Sequence, residues 1–138
     1  MAEETAVKEA LTEDMKNEGA ALARALDEAG WPVVASFWYF ESDYNRWKII
    51  LASPRVSSEG MKEAYGAVVN ALKALNQSRA AVSHISVVKP DHPLVRDLAS
   101  AIQTGWTISG IPFSRQRISD TIVEDAYLYR MTSESAAA

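Results

Sequence analysis

Trp31-Pro-Val-Val-Ala-Ser-Phe-Trp-Tyr-Phe40, followed after six residues by Trp47-Lys-Ile-Ile-Leu-Ala-Ser53, is the stretch that decides the fold class. Its first run is apolar on both alternating sets, with Val33, Ala35, Phe37 and Tyr39 on one side and Val34, Trp38 and Phe40 on the other. A strand with two apolar faces belongs in the middle of a sheet, covered on both sides. The connector Glu41-Ser-Asp-Tyr-Asn-Arg46 is polar and rich in turn formers, so the two runs read as a hairpin. Glu41 and Arg46 are opposite in charge at its neck, a pair worth less than ~1 kcal/mol at an exposed site. The returning run sets Trp47, Ile49 and Leu51 against Lys48, Ile50 and Ala52, so one of its faces is the wetter.

On the N-terminal side, Val7, Leu11, Met15, Leu22 and Leu26 recur at helical spacing from about Ala6. Thr12 before Glu13 and Asp14 is a candidate N-cap that would start the main helix later, with acids in its first turn. Gly30 is a left-handed stop, and Pro32 forbids continuation. On the C-terminal side, Pro54 ends the second strand and Ser57-Ser58-Glu59-Gly60 predicts the opening of a second helix. Met61, Tyr65, Val68, Leu72 and Leu75 form its apolar stripe, which is too short for a coiled coil and reads as core.

Ala81 to Val88 reads as a third strand. Lys89-Pro-Asp-His-Pro93 is a rigid turn, with Asp91 or His92 capping a short helix that carries Leu94, Val95, Leu98 and Ile102. Two strands close the chain, Ile111 to about Arg117 and Thr121 to about Met131, with Ile118-Ser-Asp120 as the turn. The order α-β-β-α-β-α-β-β predicts a single two-layer α+β domain over residues 1–131, with about five mostly antiparallel strands and two long helices on one face. Residues 132–138 are expected to be a disordered tail.

The composition narrows the function classes. There is no cysteine, which removes disulfides, thiolate nucleophiles and Cys-based zinc sites and agrees with a reducing cytoplasm. The N-terminus is acidic without an apolar core, unlike a signal peptide, and the apolar stretches are too short to span a bilayer, so no membrane association is expected. Residues 1–30 hold eight acids and three bases, whereas the remaining chain is nearly neutral with ten acids and eleven bases. Such a body lacks the clustered positive field that nonspecific nucleic-acid binding requires.

Motifs with chemistry are scarce. His84 and His92 have no second histidine at metal-ligand spacing and read as a strand filler and a cap; no metal and no cofactor are expected. No nucleophile elbow and no glycine-rich phosphate loop is present. Gly105 and Gly110 bracket a short excursion that ordinary turn chemistry explains. Among the tryptophans, Trp38 reads as core and Trp31 as a staple of helix to sheet, while Trp47 and Trp106 sit near loops beside polar residues.

The C-terminal hairpin holds the candidate ligand-binding residues Arg115, Arg117, Glu124, Asp125 and Tyr127. Arg115 and Arg117 share a strand face with Phe113, and Asp125 and Tyr127 share one with Tyr129. A two-residue turn puts Arg115 opposite Glu124; a slip of one residue puts it opposite Asp125 and Phe113 opposite Tyr127. Either way an acid faces Arg115. The commonplace reading is a solvated ion pair; the sharper one is a polar floor for an anionic or planar ligand, since Arg matches carboxylates bidentately. Three function classes follow. The first is a non-catalytic protein-interaction or ligand-binding domain, homo-oligomeric because the first strand is apolar on both faces and one short helix is little cover for the second. The alternative is a small cytoplasmic enzyme using the Arg/carboxylate hairpin. A nucleic-acid binder ranks last.

Overall fold

The computed structural model describes residues 10–76, 84–118 and 121–132. Expectations for residues 6–9, for 81–83, for the turn at 119–120 and for 133–138 lie outside them. Within them the chain forms α1 (Glu13–Glu28), β1 (Ala35–Glu41), β2 (Arg46–Ala52), α2 (Arg55–Glu59), α3 (Met61–Ala74), β3 (Ile85–Val88), α4 (Pro93–Ala101), β4 (Ile111–Ile118) and β5 (Thr121–Met131). This is the expected α+β order, with one extra turn of helix at α2.

Helix boundaries follow local chemistry. The Thr12 hydroxyl accepts from the Met15 N–H, so the later of the two expected starts holds, with Glu13 and Asp14 in the first turn. At the other end Gly30, at φ +81°, completes a Schellman stop: its N–H reaches the Asp27 carbonyl and the Trp31 N–H reaches Leu26. The second helix differs from expectation. Ser57 and Ser58 lie inside α2 rather than capping, and Gly60, at φ +91°, breaks the backbone so that α3 starts without a side-chain cap. A left-handed glycine interrupts the helix more strongly than two serines can nucleate one.

The sheet runs β3-β2-β1-β5-β4, with β2–β3 parallel and the other three pairings antiparallel. The doubly apolar β1 is the central strand, between its hairpin partner β2 and the distant β5. α1 and α3 pack together on one face, over Trp38, Phe40, Trp47, Ile49, Leu51, Ile85, Val87 and Tyr129. The opposite face presents Ala35, Phe37, Ile50, Ala52, Ala126 and Leu128, and among the described helices only α4 lies on it, through Val95 and Leu98. Val33 and Val34 fall in the opposite cores to those that strand alternation assigns them. They precede the start of β1 at Ala35, where the pleat does not yet apply.

Thr132, expected to belong to the tail, is instead buried, and its N–H donates to the Val34 carbonyl. The N–H of Thr104 bonds the Met131 carbonyl and that of Ser109 bonds Tyr129, so the connection between α4 and β4 runs along the end of β5. Gly105, at φ +66°, makes the turn. Gly110 serves close approach, since a Cβ there would lie 3.1 Å from the Tyr127 Cζ.

Candidate functional site

The C-terminal hairpin takes the two-residue-turn register, with Ile118 opposite Thr121, Gln116 opposite Val123, Ser114 opposite Asp125 and Pro112 opposite Tyr127. That frame sets Arg115 across from Glu124, only their backbone positions being described, and it removes the slipped pairing of Phe113 with Tyr127. It also divides the five candidate residues. Arg117 is exposed. Tyr127 packs on the helical side, where its ring meets Tyr129 edge-on at 5.5 Å and carries the Lys16 ammonium 5.0 Å from its centre.

Two buried polar clasps close the helical side. The Tyr129 hydroxyl, on β5, donates to the Lys16 carbonyl at 2.6 Å and accepts from the Trp38 indole at 3.0 Å. The same indole also reaches the Met15 carbonyl. Burial pushes the Tyr129 hydroxyl far above the ordinary phenol range, and the indole hydrogen bond offsets only part of that. The first turns of α1 approach this closely because position 19 is glycine: a Cβ there would sit 2.7 Å from the Tyr129 Cζ. Arg130 makes the second clasp. Its guanidinium is 4 % exposed, forks onto both Asp27 oxygens at 3.0 and 2.7 Å, and donates to the Val33 and Trp106 carbonyls. Both clasps are saturated internally, and their chemistry is architectural.

The open polar chemistry lies on the opposite face. Beyond the first turn of α4, a cavity of about 550 Å³ is lined by Tyr39, Lys48 and Ile50, by Ser86, Val87 and Val88, by His92, Pro93 and Leu94, and by Tyr65. Register explains how it forms. Tyr39 pairs directly with Lys48, and Ile50 with Ser86, so three polar residues fall on one face of three adjacent strands. α4 begins beside them because Lys89-Pro90-Asp91 turns the chain, with the His92 N–H on the Lys89 carbonyl and Pro93 opening the helix.

His92 is the cap, its Nδ1 accepting from the Leu94 N–H at 3.2 Å. That use of Nδ1 leaves the neutral ring's proton on Nε2. Tyr65 reaches round the outer edge of β3, its hydroxyl accepting from the Val87 N–H and donating to the Ile85 carbonyl. The hydroxyl thereby occupies the positions that an added strand would use.

Charge at the groove is organised by Glu41, which receives Lys48 on one oxygen and Arg46 on the other, each at 2.9 Å. Burial alone would raise this carboxyl; the hydrogen bonds from Lys48 and then Arg46, with their charges, outweigh it and hold it below the usual glutamate range. Tyr39 moves the other way, because burial first, and then the Glu41 and Asp43 charges, disfavour its phenolate. At neutral pH Tyr39 is a protonated donor and Glu41 a carboxylate.

Among the described residues no three His, Cys, Asp or Glu side chains gather as a metal site. No helix among them is long and apolar enough to cross a membrane. His84 lies exposed just ahead of β3. No family pattern, curated protein or solved structure matches this chain. Sequence reasoning weighed Tyr39 as core, Lys48 as the wetter face of a strand and His92 as a cap, each separately. The signal that would have joined them is a lysine placed among Ile and Leu directly across the hairpin from a tyrosine.

Proposed function

We propose that this chain is a non-catalytic binding domain whose working surface is the groove between β1, β2 and β3 and the start of α4. One observation carries this reading: a cavity of about 550 Å³ in which polar groups from three strands and a helix cap converge over the apolar floor of Ile50, Val88 and Leu94. That size and lining are typical of small-molecule sites. The titration behaviour favours binding over turnover. Tyr39 is moved further above neutrality and Glu41 further below it, whereas a general acid or base works best near the operating pH. His92 spends one ring nitrogen on its own helix.

The domain is further proposed to act as a homo-oligomer in the cytoplasm. An eight-residue strand, β4, at one end of the sheet supports the first; a cysteine-free chain supports the second.

The test is a small-molecule thermal-shift screen on the wild-type chain and on Leu94→Trp, which fills the groove from its half-buried rim, with light scattering in parallel. Compounds that raise the wild-type midpoint and lose their effect in the variant, itself folded, bear the reading out. Compounds that stabilise both proteins equally place binding elsewhere, and an absence of any hit rejects the groove.

A further inference from the structure

The groups that converge on the groove are of one kind. Lys48 brings an ammonium with three N–H donors, and Glu41 engages it on one side while turning its other oxygen to Arg46. Tyr39 keeps its proton, and His92, its Nδ1 already accepting from Leu94, presents Nε2–H. The first turn of α4, a nine-residue helix, adds the positive end of its dipole at the same rim. Ser86 can donate as well. The two acids on the hairpin, Glu41 and Asp43, are not among the residues that line the cavity. Glu41 is neutralised by its two cations, and Asp43 acts on the Tyr39 hydroxyl. Ile50, Val88, Pro93 and Leu94 leave the remaining lining apolar. A ligand here therefore has to supply acceptors at one end and flat apolar surface at the other.

We infer that the groove takes a small planar organic carboxylate, its anionic end on Lys48 between Tyr39 and His92 and its body on Ile50, Val88 and Leu94. The inference rests on the groove being the binding site. Lys48 is the anchor because among the described residues of the lining it is the one lysine or arginine, and it is already partly desolvated, 24 % exposed. Partial desolvation strengthens a charge-assisted hydrogen bond over one made in open water.

The test uses 2-naphthoate and its uncharged counterpart 2-naphthamide, titrated calorimetrically into the full chain, with the bound position read from the methyl resonances of Ile50, Val88 and Leu94. The acid is expected to bind at least ~10-fold more tightly than the amide, a difference of about 1.4 kcal/mol. Lys48→Met is expected to bring the acid down to the amide's affinity while leaving the amide unchanged. Equal binding of acid and amide to the wild-type chain would overturn the carboxylate assignment while leaving the groove in place. So would a preference for the acid that survives Lys48→Met, or an acid that binds without moving the groove methyls. Failure of both probes to bind also rejects the assignment, and the Leu94→Trp comparison then decides separately on the groove itself.

Discussion

Tyr129 and Tyr39 lie on neighbouring strands of one sheet and face opposite ways, and their hydroxyls are used differently. Tyr129 is 2 % exposed, locked between the Trp38 indole and the Lys16 carbonyl under α1. Tyr39 is half-buried at the margin of a cavity of about 550 Å³. On the helical face the gap beneath Leu26, Trp31 and Val68 amounts to about 10 Å³, at or below what a single water needs. Two helices with matched apolar stripes close one side of the sheet, whereas on the other the nine-residue α4, among the described residues, leaves the β3 end open. A polar group sealed under two helices must find its partner within the protein, and one beside a short helix stays available. On this protein, the polar clasps that serve the fold and the groove proposed for binding therefore lie on opposite faces of the same strands.

The largest way to test that division is at the clasp between α1 and β5. Asp27→Ala leaves the Arg130 guanidinium buried with carbonyl partners alone. Removing one partner of a fully buried pair costs ~3–5 kcal/mol, and because Asp27 is 38 % exposed the expected loss is about 2–3 kcal/mol by urea unfolding. A loss under about 0.5 kcal/mol, the scale of an ordinary surface substitution, would show the clasp to be ornamental.

Next comes the tyrosine pair itself. Tyr129→Phe is expected to cost about 1–2 kcal/mol, because it strips a hydrogen-bond partner from both the indole and the Lys16 carbonyl. Tyr39→Phe should stay within about 0.5 kcal/mol. Equal costs would erase the distinction between the faces.

The smallest effect is electrostatic. Glu41 is held below the ordinary glutamate range, so its contribution is fully present above about pH 4.3 and is lost as pH falls through the lowered folded value. Glu41→Gln should therefore lie below wild type at pH 7 by less than ~1 kcal/mol, since the pair is partly exposed, with the gap narrowing by pH 3. A gap of the same size at both pH values would mean that charge contributes nothing there.

What could be read along the chain was read from signals a few residues wide. The Glu41–Arg46 hairpin neck, the Thr12 cap, the Gly30 stop and the His92 cap each depend on neighbours in sequence, and each stands in the structure. The two apolar faces of β1 correctly implied a central strand. The Gly60 break was missed because the serines before it suit a cap and the glycine was read together with them. The hairpin at 111–131 left two registers open, and residue types alone could not choose; the ladder does, setting Ser114 opposite Asp125 and Pro112 opposite Tyr127.

Asp27 and Arg130 are 103 residues apart, Trp38 and Tyr129 are 91, and nothing local links either pair. The groove is of the same kind, drawn from Tyr39, Lys48, Ser86 and His92 on four separate elements. Local periodicity and turn chemistry determined the elements, their order and the central place of β1, because those depend on short-range sterics and on which faces must leave water. Only the tertiary structure decided that β5 joins β1, that one face is sealed and the other left open, and which donors meet in the groove. Those follow from long-range strand pairing and from the reach of a nine-residue helix across the sheet.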